Sequence, residues 1–135
     1  MEDSGMAAIR SFRDLDVYRL SVRDAKRVFV VTKTFPREET YSLTDQIRRS
    51  SRAVGSMIAE AWAKRRYAAA FVAKLIDALG EAMETQSWLD HAVTCGYINR
   101  EDYRQMDAAW QSIGAKLQRM IDRADTFCRP AESPA

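Results

Sequence analysis

Two groups of basic residues are the first candidates for chemistry in this chain of 135 residues. Arg48, Arg49 and Arg52 lie within little more than one helical turn, and Lys64, Arg65 and Arg66 form a run with Tyr67 beside it. Guanidinium and ammonium groups at such spacing suit phosphate, the guanidinium by a planar fork and the ammonium as a point charge. Tyr67 adds a ring on which a base can stack. A basic run at a helix end is also ordinary solvated surface, so the run alone does not decide. Gln46, Arg49 and Glu60 form a second set, read as a structural polar network. Arg49 and Glu60 stand about 16 Å apart along a helix at 1.5 Å per residue, too far to pair. Each is expected to bond a neighbouring helix or subunit and to fix register.

No catalytic constellation accompanies them. Glu81 and Glu84 invite a di-iron reading, which requires Glu-x-x-His motifs on facing helices. Ser87 follows Glu84 by three residues, and His91 has no Glu three residues away, so no metal is expected. Cys95, Cys128 and the single histidine lack metal-ligand spacing. Gly-rich phosphate loops and nucleophile elbows are missing too. The expectation is a protein that is not an enzyme and uses no cofactor or small-molecule substrate. No apolar run approaches the length of a membrane span. The N-terminal stretch has no basic-then-apolar signal pattern, so a cytoplasmic setting is expected.

The elements that position these residues read as four helices. Five Gly and three Pro, with Pro36 the only internal proline, favour long helices. Helix 1 is expected from about Asp14, capped by that carboxylate, with an inward seam of Leu15, Tyr18, Val22, Ala25, Phe29 and Thr32. Thr34-Phe35-Pro36 ends it. Helix 2 starts near Ser42, where Ser42 and Asp45 resemble a capping box, and turns Leu43, Ile47, Ser50, Val54, Ile58 and Ala61 inward. Gly55 within it fits a close approach between helices. Helix 3 follows the basic run with Phe71, Leu75, Ala78, Ala82, Thr85, Leu89 and Ala92 inward. One residue on, Val72, Ile76, Leu79 and Met83 belong to a second stripe, so either helix 3 is central to the bundle or these four residues form an interface with another subunit. Gly96 closes this helix. Asn99 caps helix 4, which carries Tyr103, Met106, Trp110, Ile113, Leu117, Met120, Ala124 and Phe127. The expected fold is an all-α, antiparallel up-down-up-down four-helix bundle over residues 12–128, with a flexible leader at 1–11 and a flexible tail at 129–135.

Charge is unevenly spread although the net is only +2. Residues 41–75 hold seven bases against two acids, a net of +5, and residues 76–107 hold two bases against seven acids, a net of −5. Opposed faces of this kind pair within or between subunits, or leave a basic surface open to phosphate.

The strings FRDLDVYRLS at Phe12–Ser21, FPREETYSLTDQIRRSS at Phe35–Ser51, IAEA at Ile58–Ala61 and EAMETQSWLDHAVTCGYI at Glu81–Ile98 resemble the four helix bundle protein family. That family was first met as proteins encoded by intervening sequences in bacterial large-subunit ribosomal RNA genes, and is sometimes labelled a ribosomal-protein homologue. The resemblance implies a bacterial four-helix protomer that assembles as a homopentameric ring and has no established enzymatic activity. A related group, the accessory proteins of diversity-generating retroelements, has a similar pentameric bundle with a positive surface and works with nucleic acid and a reverse transcriptase. The family reads N-I-A-E-G where this chain has Met57-Ile58-Ala59-Glu60-Ala61, so a role for that Asn or Gly does not transfer.

Two functions are therefore expected to compete. One is a non-enzymatic oligomeric scaffold that meets RNA or DNA, or a nucleic-acid enzyme, through the basic residues. The other is a purely structural or protein-interaction oligomer in which the same polar string serves assembly.

Overall fold

The structure is a computed structural model and describes residues 9–128. The expected tail at 129–135 lies outside the described residues, as does the expected leader as far as residue 8. Ile9 already packs against the core. Ser11 then opens a 3-10 turn over Phe12–Asp14 with a reciprocal cap. Its hydroxyl oxygen accepts from the Arg13 N–H at 3.1 Å, and the Asp14 carboxylate accepts from the Ser11 N–H at 3.1 Å. Asp14 thus closes the turn before the helix rather than capping the helix itself. Helix α1 runs over Asp16–Thr32.

A second 3-10 turn at Arg37–Glu39 leads into α2, Leu43–Ala63. The expected cap by Ser42 is replaced by one from upstream. Glu39 Oε1 accepts from the Ser42 hydroxyl at 2.8 Å and from the Leu43 N–H at 3.3 Å. Placing a carboxylate at a helix N-terminus satisfies open N–H groups and suits the helix dipole. Four residues then connect to α3, Ala68–Thr94. Gly96, at φ +78°, ends α3 in the left-handed region, with Gly96 N–H on the Val93 carbonyl and Tyr97 N–H on the Ala92 carbonyl. Asn99 caps α4, Arg100–Asp122, by accepting from the Asp102 N–H at 2.7 Å. The helix expected to continue to Phe127 breaks at Arg123, and Ala124–Phe127 forms a separate short turn, α5. The chain is all-α, with four long helices and no strand among the described residues.

Val28 of α1, Ile47, Val54 and Ile58 of α2, Phe71, Leu75 and Leu89 of α3, and Trp110, Ile113 and Leu117 of α4 share one buried core. Burying each such side chain contributes about 1.5–3 kcal/mol before chain entropy is set against it. Every residue of the inward α3 row is buried. The buried row along α1 matches the expected one only at its ends, Leu15 and Thr32. The buried residues of the helix itself are Val17, Ser21, Asp24, Val28 and Thr32, while Val22 is 51% exposed and Tyr18, Ala25 and Phe29 are half-buried. Gly55 explains how α1 and α2 lie so close: a Cβ there would come within 3.1 Å of Ser21 Oγ.

Candidate nucleic-acid interface

Phe29 and Thr32, one turn apart on α1, face the start of α2. Three cations gather on the Phe29 ring: Arg48 Cζ at 4.7 Å, Lys33 Nζ at 4.9 Å and Arg52 Cζ at 5.4 Å from its centroid. Each gains from the negative face of the ring. Arg48 is oriented further by its Nε, which donates to Thr32 Oγ1 at 2.8 Å, while Thr32 donates to the Phe29 carbonyl at 2.9 Å. That leaves both terminal nitrogens of Arg48 without a protein acceptor among the described residues. No carboxylate of the described residues pairs with Lys33, Arg48 or Arg52. Three uncompensated cations on one aromatic ring suit a phosphate or a phosphate-linked chain.

Arg49, their neighbour in sequence, points elsewhere. Its Nη2 donates to Glu84 Oε2 of α3 at 2.7 Å, and its Nη1 lies 3.7 Å from Glu81 Oε1. The second contact is an ion pair too long for a hydrogen bond, and Glu81 Oε1 is buried with no hydrogen-bond partner. Gln46 Oε1 accepts from Arg49 at 3.4 Å, and Trp88 Nε1 donates to Glu84 at 3.1 Å. Gln46 and Arg49 therefore share one network with Glu81, Glu84 and Trp88. Glu60 does not join it, and instead pairs with Lys74 of α3 at 3.2 Å. The Glu60 carboxylate is the main cause holding the Lys74 ammonium above its ordinary value.

The second basic group divides as well. Arg65 lies flat on Trp62, with Cζ 3.7 Å from the ring centroid and Nε donating to the Trp62 carbonyl at 2.8 Å. Lys64, Arg66 and Tyr67 are exposed. Sixteen residues separate Arg48 from Lys64, about 24 Å along α2 at 1.5 Å per residue. One group lies near the start of α2 and the other in the connection after it, and they do not make a single site.

Of the expected interface stripe, Ile76 and Met83 are exposed, at 52% and 58%, whereas Val72 and Leu79 are half-buried against the core. Leu79 leans on α4, where its Cδ1 would sit 3.4 Å from a Cβ at Gly114. The described residues contain no cluster of His, Cys, Asp or Glu that could hold a metal ion, and no helix long and apolar enough to cross a membrane. Lys33 and Phe29 were not singled out by sequence as partners of Arg48 and Arg52. The cation pattern of one helix does not show the ring that a second helix places beneath it.

With this geometry in hand, the model of the 23S rRNA-intervening sequence protein family matches residues 13–119. The chain belongs to that family. The match spans α1, α2 and α3 whole and most of α4, and so covers both basic groups and the Arg49 network. A search of curated proteins gives no match. Among solved structures, the chain is similar to a protein of unknown function from the S23 ribosomal protein family of Bacteroides thetaiotaomicron VPI-5482. The TM-score is 0.71 at 32% identity, over 78% of this chain and 95% of that one.

Proposed function

We propose that this protein is a non-enzymatic scaffold that assembles with copies of itself and holds RNA on Lys33, Arg48 and Arg52, the cations gathered on Phe29. The observation that carries the reading is the Lys33–Arg48–Arg52 cluster on Phe29, which no carboxylate of the described residues neutralises. Lys64 and Arg66, beside the exposed Tyr67, offer a second and separate phosphate contact. Arg49 is left out, because Glu81 and Glu84 already hold it. Membership of a family named for a ribosomal RNA insertion favours RNA over DNA or a nucleic-acid enzyme as the partner. The pentameric ring is carried by the family resemblance, and assembly of any size repeats the cations and multiplies the counterions released on binding. A cytoplasmic setting belongs to the same reading and fits the two free thiols, Cys95 and Cys128.

The protomer in this reading is an antiparallel up-down-up-down bundle. Supporting it, Glu60 meets Lys74 across the short α2–α3 connection while Arg49, farther back, meets Glu84, farther on. Between α3 and α4, Tyr103 reaches Asp90 and Gln86 reaches Asp107 and Gln111. The test is fluorescence anisotropy of a labelled single-stranded RNA at low salt. Arg48→Ala/Arg52→Ala is expected to weaken binding at least tenfold and Arg49→Ala to leave it near wild type. Equal affinity for all three proteins overturns the reading.

A second reading, assembly without nucleic acid, is favoured by the exposed Ile76 and Met83. It predicts no RNA binding at low salt by a protein that still assembles.

A further inference from the structure

In the row Tyr18, Val22, Ala25 and Phe29 no residue is fully buried, and only Tyr18 packs against the core. With Gly55 and Ala59 of α2 the row lines an open groove of about 460 Å³. Lys26 and Arg52 also line it, and no acidic residue does. The groove is thus lined mainly by apolar side chains, with Ser21, Ser51 and Ser56 among them, and carries positive charge only. On α3, Ile76 and Met83 project from the surface two helical turns apart. Gly80 lies between them, and a Cβ there would meet nothing within 4 Å, so the backbone between the two side chains is open to approach. Asp77, beside Ile76, has a side chain 57% exposed.

We propose that the groove between α1 and α2 receives the Ile76–Met83 face of α3 from a second copy of this chain. The proposal rests on the self-assembly half of the function proposed above and names the two surfaces that meet. Charge selects this pairing. The groove offers the exposed Lys26 to Asp77, whose own-chain partner Lys74 stands 3.7 Å away, in a segment that carries −5 overall. An α3-on-α3 contact would instead bring two acidic helices together, which like-charge repulsion disfavours. It would also leave Val22 and the groove in water. Because groove and α3 face are different surfaces of one chain, the contact is head-to-tail, and repeating it gives a closed ring or an open chain. Phe29 is the last α1 residue of the groove and Arg52 lies 5.4 Å from its ring, so the phosphate site of Lys33, Arg48 and Arg52 sits at the end of the groove rather than along it.

The experiment uses two single variants of the full chain, Val22→Asp and Met83→Asp, both at exposed positions. Each is expected to keep wild-type helix content by circular dichroism and to fall from the assembled mass to that of one chain by light scattering. Mixed one to one, they are expected to form a dimer and nothing larger, since only one intact groove meets one intact α3 face. A wild-type protein that runs as one chain overturns the proposal, as does a mixture of folded variants that stays at one-chain mass. Ile76→Asp replaces Met83→Asp if the latter loses helix content. RNA binding is measured on the same samples. Its loss with the assembly intact counts against the nucleic-acid reading and leaves the contact standing.

Discussion

Arg49 Nη2 lies 2.7 Å from Glu84 Oε2, so the central arginine of the basic string is an internal tie between α2 and α3. Its neighbours Arg48 and Arg52 sit on Phe29 instead. One residue along a helix turns a side chain by about 100°, and that rotation separates a structural arginine from two available ones.

Arg49→Ala is therefore expected to cost about 1 kcal/mol or less in stability, since the arginine is half exposed and such pairs are weak. Urea unfolding measures this. Assembly is expected to persist, because both carboxylate partners of Arg49 belong to its own chain. A change of mass by light scattering would show that Arg49 also reaches a second copy.

The buried Ser50–Thr85 contact predicts a non-additive pair. Their hydroxyl oxygens are 2.8 Å apart, and Thr85 already donates to the Glu81 carbonyl, which makes Ser50 the donor to Thr85. Thr85→Val takes away the short partner of the Ser50 hydroxyl, leaving it the Ile47 carbonyl at 3.4 Å, and should cost about 1 kcal/mol. Adding Ser50→Ala should recover part of that loss. A double-mutant cycle with no coupling would refute the assignment.

Tyr97 and Glu39 predict how stability responds to pH. Tyr97 donates to Glu39 at 2.7 Å, joining the connection before α2 to the one before α4. That bond, with those from Ser42 and the Leu43 N–H, holds the Glu39 carboxyl below its ordinary value near 4.5. A lowered carboxyl stabilises the fold above that ordinary value, and the contribution is lost as pH falls through the lowered one. The same bond pushes the Tyr97 hydroxyl up to about 12. Its contribution is whole below the ordinary value of 10 and is lost as pH rises through about 12. Tyr97→Phe should weaken the acid dependence and remove part of the alkaline one. Tyr103, donating to Asp90 and also raised to about 12, retains its own share. Unfolding midpoints across pH check both limbs, and identical profiles for variant and wild type would contradict the coupling.

How much of this could be read from sequence differs by helix. On α3 the inward row is apolar or small at every position except Thr85, so heptad spacing alone identifies it. On α1 the true inward row includes Ser21 and Asp24, and its rival, Tyr18 to Phe29, is richer in apolar residues. Hydrophobic periodicity picks the rival, which lines the groove. Ser21 is tolerated inside because its hydroxyl donates to the Tyr18 carbonyl, and Asp24 because Arg23 reaches it at 3.1 Å. The basic residues were visible as a set. Their division into held and available ones was not, because Glu81 and Glu84 lie more than thirty residues away in sequence from Arg49.

Exposed cations of the α2–α3 connection supply a graded expectation. Lys64→Ala/Arg66→Ala should weaken RNA binding less than the change at Arg48 and Arg52, because those two are fixed on a ring and Lys64 and Arg66 make no ion pair or ring contact among the described residues. Equilibrium binding of the same RNA probe ranks the variants, and the reverse order would move the interface to the α2–α3 connection.

The claim that uncompensated cations on Phe29 hold RNA phosphates is tested most directly by salt titration of RNA binding. Each phosphate neutralised on a single strand contributes about −0.7 to the slope of log K against log salt. The wild type should give a steep negative slope, Arg48→Ala/Arg52→Ala a slope shallower by about 1.4 for two lost contacts, and Arg49→Ala the wild-type slope. A slope unchanged by Arg48→Ala/Arg52→Ala, or no RNA binding even at the lowest salt, would contradict the account.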